Sequence, residues 1–273
     1  MTKTYDAFTL KMVAIIGMLM QHTAIVLGPA VPTVLHFPLQ FGGGFTFPIM
    51  AFLLVEGFRH TSNVKRYLGR IFIFALVSQV PHMMAFSTAV TQETGVFGLN
   101  IMFTLFVGLL LLVLHDTMKR RKLFWLLFVV LTLVTFFFDW GVVGPVMVLL
   151  YHIVSTEKIR RMIPQILGFW YFIAFGIIVG FSVGLIAAID PELAAAMSDK
   201  LAAMTGDEMS MAQNLAGLLF PVGMLASIPL VRGYNGERGR SMKYLFYAFY
   251  PLHLLALALI SFALGNGPLF PFI

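Results

Sequence analysis

The residues able to do chemistry in this chain are few, and almost everything around them is apolar. His22 closes the run LKMVAIIGMLMQH directly after Gln21, and His253 sits in FYAFYPLHLL two residues after Pro251. An imidazole takes and gives a proton near neutral pH, so two of them at one depth could run general acid/base chemistry, and one could carry an acyl group transiently. Gln21 points about 100° away from His22 around a helix, so the two need not share a face. Asn100 and Thr104 in GLNIMFT are four apart on one helical face, where the amide bridges helices or polarises a ligand. Gln79 and His82 lie three apart, and Gln213 and Asn214 stand together, each pair near the end of an apolar run. Glu56 and Arg59 have the i,i+3 spacing of a simple interfacial ion pair.

What must position these groups is a membrane. Of 273 residues, 59% are hydrophobic and 11% charged, and mean hydropathy is +0.91. Soluble domains are about one quarter charged. One anchor helix needs only about 20 residues, so the apolar runs must recur. They do, at Leu10–Leu27, Phe45–Phe58, Tyr67–Phe86, Leu99–Leu114, Leu123–Phe138, Val142–Val154, Ile166–Ile189, Met211–Val231 and Tyr244–Leu264. The expected fold class is therefore all-α: a polytopic transmembrane helix bundle of about nine spans, forming a single domain over residues 1–273. The second and sixth runs are short, which predicts either half-helices or extension into the preceding Gly-rich or Trp-containing segment. The stretch from Pro191 to Gly206 has apolar residues at helical spacing and reads as a short amphipathic surface helix.

Of the 18 basic residues, all but Lys200 fall at the N-terminus or in alternate loops: Arg59 to Arg70, Lys119 to Lys122, Lys158 to Arg161, and Arg232 to Lys243. Basic loops stay cytoplasmic, so this alternation predicts a cytoplasmic N-terminus and an external C-terminus. The net charge of +6 is thereby explained by the bilayer and not by nucleic acid. The chain has no cysteine, which excludes thiolate chemistry and disulfides. Walker, H-E-x-x-H and G-x-S-x-G motifs and the Arg ladder of a voltage sensor are missing, which argues against an ATP-driven pump, a zincin and a voltage sensor. The first run has no A-x-A cleavage site and is expected to be a retained helix.

In each ionisable group within hydrocarbon there is a cost of a few kcal/mol unless a partner or a wet cavity offsets it, so these groups are default functional candidates. Their arrangement resembles the TraX family, named for a conjugation protein linked to N-terminal acetylation of pilin. That family opens with LK-x-IA-x-x-x-M-x-x-DH, similar to Leu10–His22 here. Its Gly-Arg-x-x-Phe-Pro stretch and following EGF segment resemble Gly43 to Arg70. N-x-x-FT-x-x-x-G corresponds to Asn100–Gly108, an acidic residue before G-x-x-G to Asp139, Gly141 and Gly144, and YPLHL to Tyr250–Leu254. Two positions depart: Gln21 replaces the Asp of Asp-His, and Gly44 the Arg of Gly-Arg.

The resemblance implies an integral-membrane acyltransferase of the cell (plasma) membrane, moving acetyl from acetyl-CoA to an amine or hydroxyl of a peptide or envelope glycan. His22 is then the expected general base or acyl carrier, with His253 and Asn100 orienting or polarising. Arg66, Arg70, Arg120 and Arg121 are the expected contacts for the cofactor's diphosphate, although positive-inside anchoring also accounts for them. Membrane lipid and the acyl acceptor are the expected partners. Two other readings remain: a non-catalytic assembly or export partner of the same fold, and a small-solute transporter.

Overall fold

The structure is a computed structural model that describes residues 4–86, 98–205, 215–241 and 243–265. Gly206, Gln213 and Asn214 lie outside the described residues. In chain order the helices are α1 (Ala7–Val26), α2 (Thr33–Gly43), α3 (Thr46–His60), α4 (Val64–Ala85), α5 (Ile101–Thr117), α6 (Arg121–Val134), α7 (Val143–Ile153), α8 (Glu157–Arg160), α9 (Ile163–Ile189), α10 (Pro191–Thr205), α11 (Leu219–Ala226), α12 (Ile228–Arg232) and α13 (Lys243–Ala263). A backbone in hydrocarbon must satisfy its own polar groups, which is why so apolar a chain becomes helical. The described residues hold no strand, only isolated bridges such as Leu99–Phe138. The chain is an all-α, multi-pass membrane protein.

Helix coincides with each of the nine apolar runs, but not every helix is a full span. Among the described residues, six helical stretches are long and apolar enough to cross: Ala7–Val26, Thr33–His60, Val64–Ala85, Glu157–Ile189, Leu215–Arg232 and Tyr244–Ala263. The second run extends backward, since α2 and α3 follow each other across a break at Gly44 and Phe45. The sixth does not: α7 has 11 residues, about 16 Å of rise against a hydrocarbon core of about 30 Å. The surface stretch that begins at Pro191 is a helix as its spacing predicts, with Glu192 in its first turn.

Packing closes a ring. α1 packs on α2, α2 on α11, α11 on α9, α9 on α7, α7 on α5, α5 on α4, α4 on α13, and α13 back on α1. α3 fills the ring, touching α1, α5 and α7, and buries nearly every residue from Thr46 to Val55. α6 lies outside against α5 and buries only Phe124 and Thr132. Small residues let the backbones meet where no side chain fits: a Cβ on Gly44 would stand 2.2 Å from the Phe220 carbonyl oxygen, and one on Gly223 would stand 2.0 Å from that of Phe41.

At the end carrying the basic loops, Arg161 is buried and structural. Its Nη1 donates to the carbonyls of Val231, Arg232 and Tyr234 at 3.2, 3.0 and 3.1 Å, and its Nη2 pairs with Glu157 at 2.7 Å. The planar guanidinium thus terminates α12 and ties it to α8. Glu56 and Arg59 form the expected i,i+3 pair at 3.1 Å, and Arg59 also donates to the carbonyls of Tyr151 and His152.

Candidate functional site

The two intramembrane histidines meet. His22 on α1 and His253 on α13 come from helices that pack directly, and His22 Nδ1 lies 2.7 Å from His253 Nε2 with the rings within 4° of parallel. His253 Nδ1 is 2.8 Å from the Phe249 carbonyl. A carbonyl only accepts, so His253 Nδ1 carries the proton and donates it there. The Nε2 of neutral His253 is then a lone pair, which makes His22 Nδ1 the donor and leaves His22 Nε2 as a lone pair for the cavity that His22 lines. The chain of hydrogen bonds fixes the tautomer of a base, as a carboxylate does in acid-histidine pairs.

A second polar pair stands beside the first. His82 Nε2 lies 3.2 Å from Asp139 Oδ2, and the Phe86 ring touches both His82 and His22. Asp139 sits in the non-helical segment before α7, and irregular backbone at membrane depth is tolerated only when satisfied or lining a cavity. Here it is both. Leu99 N–H donates to the Phe137 carbonyl at 3.2 Å, Asp139 N–H donates to Leu99 at 2.8 Å, and Gly141 N–H donates to Phe138 at 2.9 Å. The Thr104 hydroxyl donates to the Asp139 carbonyl, and that of Thr135 to the Gly141 carbonyl at 3.0 Å. Trp140 is held at φ 68°, a left-handed conformation costly for so large a residue, by stacking on Phe47 with centroids 4.2 Å apart. Strain of this kind next to a carboxylate is common at functional sites.

Around these groups lies a cavity of about 520 Å³ at the end of the bundle opposite the basic loops. Gln21, His22, Gln40, Asp139 and Tyr250 supply its polar wall, with aromatic side chains making most of the rest. The Tyr250 hydroxyl is buried without a hydrogen-bond partner. A second cavity, of about 270 Å³, opens toward the basic end and is lined by Lys11, Arg70, Arg238 and Arg240 together with Tyr67 and Tyr247. Its Arg70 Nε is likewise buried and unpartnered. The two cavities are neighbours along the same helices: Ile101 lines one and Met102 the other, as do Tyr250 and Tyr247.

The residues singled out by sequence therefore separate. His22 and His253 come together, and Gln21 shares the cavity with His22. Asn100 is placed elsewhere: its Oδ1 caps α5 by accepting from Met102 N–H at 3.0 Å, while Nδ2 donates to the Ala75 carbonyl and Gln79 Oε1, each at 2.8 Å. It is buried, fully used as a clip between α4 and α5, and lines neither cavity. Arg70 lines the basic cavity, whereas Arg66, Arg120 and Arg121 are exposed and outside both. The guanidinium of Arg121 donates to the His115 carbonyl at 2.8 Å. Missed by the sequence reading are the His82–Asp139 pair and the basic trio Lys11, Arg238 and Arg240. Asp139 carried a signal, since it is a carboxylate flanked by apolar runs, but its histidine is 57 residues away.

Comparison with known proteins adds a family. The TraX protein family model matches residues 7–261. The probable fimbrial assembly protein FimC, serogroup H1, of Dichelobacter nodosus is 27% identical over 260 residues, covering 93% of this chain and 94% of that protein. No solved structure matches.

Proposed function

Because the chain belongs to the TraX family, we propose that it is an integral-membrane acyltransferase that moves acetyl from acetyl-CoA to an amine of a pilin- or fimbria-type peptide. The observation that carries this reading is the His253–His22 relay, which leaves one imidazole nitrogen as a base at the wall of a cavity. The acceptor class is suggested by the name of the D. nodosus relative, a probable fimbrial assembly protein.

The basic cavity suits a CoA diphosphate by its chemistry: four cationic side chains converge, one of them with a buried, unpartnered N–H. When bound, acetyl-CoA supplies a thioester carbonyl. Along α1, Lys11 and His22 are 11 residues apart, about 16 Å, a distance suited to an extended pantetheine arm reaching between the cavities. His22 Nε2 would take a proton from the attacking amine as the C–N bond forms, and the buried Tyr250 hydroxyl on the wall of the same cavity would donate to the acyl carbonyl oxygen. His22 would then return that proton to the leaving sulfur as the C–S bond breaks, so that amine and thioester become amide and thiol with His22 regenerated. His253 would hold the tautomer, and the Asp139 carboxylate, 3.2 Å from His82 Nε2, would place an acceptor on the wall of the same cavity.

The test is acetyl transfer by purified protein in detergent, from labelled acetyl-CoA to a peptide amine, together with CoA binding. Saturable binding that Arg70→Glu weakens at least tenfold, and transfer lost in His22→Ala, are the expected results. Binding of no CoA at all would leave the family's scaffold as a non-catalytic fimbrial assembly component.

A further inference from the structure

Away from both cavities, three ligating side chains converge at the basic end of the bundle. His115 and Asp116 end α5, and His152 ends α7 on the neighbouring helix. Asp116 Oδ1 lies 2.8 Å from His115 Nδ1 and 2.8 Å from His152 Nε2, and one ligand atom from each residue falls within 4.8 Å of the other two. We propose that this cluster is a divalent transition-metal site with zinc as its ion, clipping α5 to α7 and leaving one coordination position for water.

Two imidazoles and a carboxylate are the three-ligand set that zinc favours with a fourth, open position, whereas calcium and magnesium require mainly oxygen. The rings are held from outside. The Phe124 ring meets the edge of His115 with centroids 5.2 Å apart, and the Phe58 ring meets His152 at 5.6 Å. The backbone is held as well, since Arg121 donates to the His115 carbonyl and Arg59 to the His152 carbonyl. Both guanidinium groups are thereby engaged with carbonyl oxygen, and supporting contacts of this sort keep ligands in coordinating geometry. His152 is only 13% exposed while Asp116 is 44% exposed. The cluster is thus walled on the protein side and open on the Asp116 side, where water completes the shell. Ligands drawn from two helices 36 residues apart give the ion a mechanical consequence: binding releases any imidazole proton it displaces and draws the ends of α5 and α7 together.

The experiment uses full-length detergent-solubilised protein purified without a polyhistidine tag, stripped with chelator and titrated with Zn2+, with Co2+ as the spectroscopic probe. One equivalent of zinc is expected to bind. Cobalt is expected to show the intense visible bands of a four-coordinate ion, and zinc at about 100 times its Kd should raise the Tm by about 5 °C. His152→Gln and Asp116→Asn should each weaken zinc binding by about 100-fold, while His60→Ala, at an exposed histidine outside the cluster, should not. Because binding is read directly by metal analysis on the unaltered protein, a variant that fails to fold leaves the test intact. Stoichiometry near zero in the unaltered protein, or equal uptake by His152→Gln and His60→Ala, overturns the site. Acetyl transfer is not among the readouts, so failure here is separate from failure of the proposed activity.

Discussion

At the scale of residues, the hydrogen-bond chain Phe249 carbonyl, His253, His22 makes different predictions for its members. His22→Ala removes the base, and acetyl transfer should fall by about 100-fold or more, the usual worth of a positioned proton acceptor, while detergent stability and yield stay close to normal. Loss of activity in proportion to loss of folded protein would instead mark His22 as structural. His253→Phe keeps the aromatic bulk but frees the His22 tautomer, so it should lower turnover with little change in CoA affinity. Gln21→Asp places a second carboxylate in the cavity that His22 lines. A carboxylate brings a charge that the amide lacks, so turnover should change in Gln21→Asp while CoA affinity stays the same. Unchanged turnover in the folded variant would show that residue 21 does not act on His22. The histidines were legible in sequence because an imidazole inside an apolar run is costly and conspicuous. Asn100 was conspicuous for the same reason, yet its cost is offset by capping α5 and bridging to Gln79 and Ala75. Polarity in hydrocarbon announces that a partner exists without saying whether the partner is a ligand or the next helix.

At the scale of elements, two glycines, one pressed against a neighbouring backbone and one in open space, make predictions of opposite sign. Gly44 lies where α2, α3 and α11 meet, and a Cβ there would sit 2.2 Å from the Phe220 carbonyl oxygen and 2.7 Å from Met224 N. Backbone cannot swing aside as a flexible side chain can, so Gly44→Ala should destabilise by about 1–3 kcal/mol, as overpacking does. Gly44→Arg, which restores the residue of the family pattern, should give little folded protein. Gly69 lies in α4 with nothing within 4 Å of its Cβ position, so Gly69→Ala should raise the midpoint slightly through helix propensity. Thermal unfolding monitored in one detergent checks both. A Gly44→Ala protein as stable as Gly69→Ala would mean that α11 can move away. Length and hydropathy located the helices well, because both are sums over many residues. They could not decide between a half-helix and a backward extension for the sixth run, since what stops it is tertiary: Thr104, Leu99 and the Trp140–Phe47 stack hold residues 138–142 out of helix. Nor could a count of positive charges separate Arg161, which caps three carbonyls, from Arg66 and Arg120, which are exposed.

At the scale of the whole molecule, the ring around α3 carries its cationic cavity at one end and its histidine cavity at the other, with Tyr247 and Tyr250 at the join. The basic loops predict that the cationic end faces the cytoplasm, where acetyl-CoA is made, and a pilin-type peptide would then be acetylated from the opposite side. This separation is testable as sidedness. Reporter fusions after Glu192 and after Ser241 should read opposite compartments, because α9 and the segment up to Arg232 each return the chain across the bundle. In proteoliposomes with the protein inserted in one orientation, labelled acetyl-CoA supplied at the Arg238 and Arg240 face should acetylate a peptide present only on the other face. Supplying both substrates at the cationic face should give little product. Arg240→Glu, on the wall of the cationic cavity and outside the histidine cavity, should raise the KM for acetyl-CoA several-fold and leave the KM for peptide unchanged, since a lost charge contact acts on the ligand it meets. Transfer that requires both substrates on one face would show that a single opening serves both cavities, and the path between Tyr247 and Tyr250 would then have no part in the reaction.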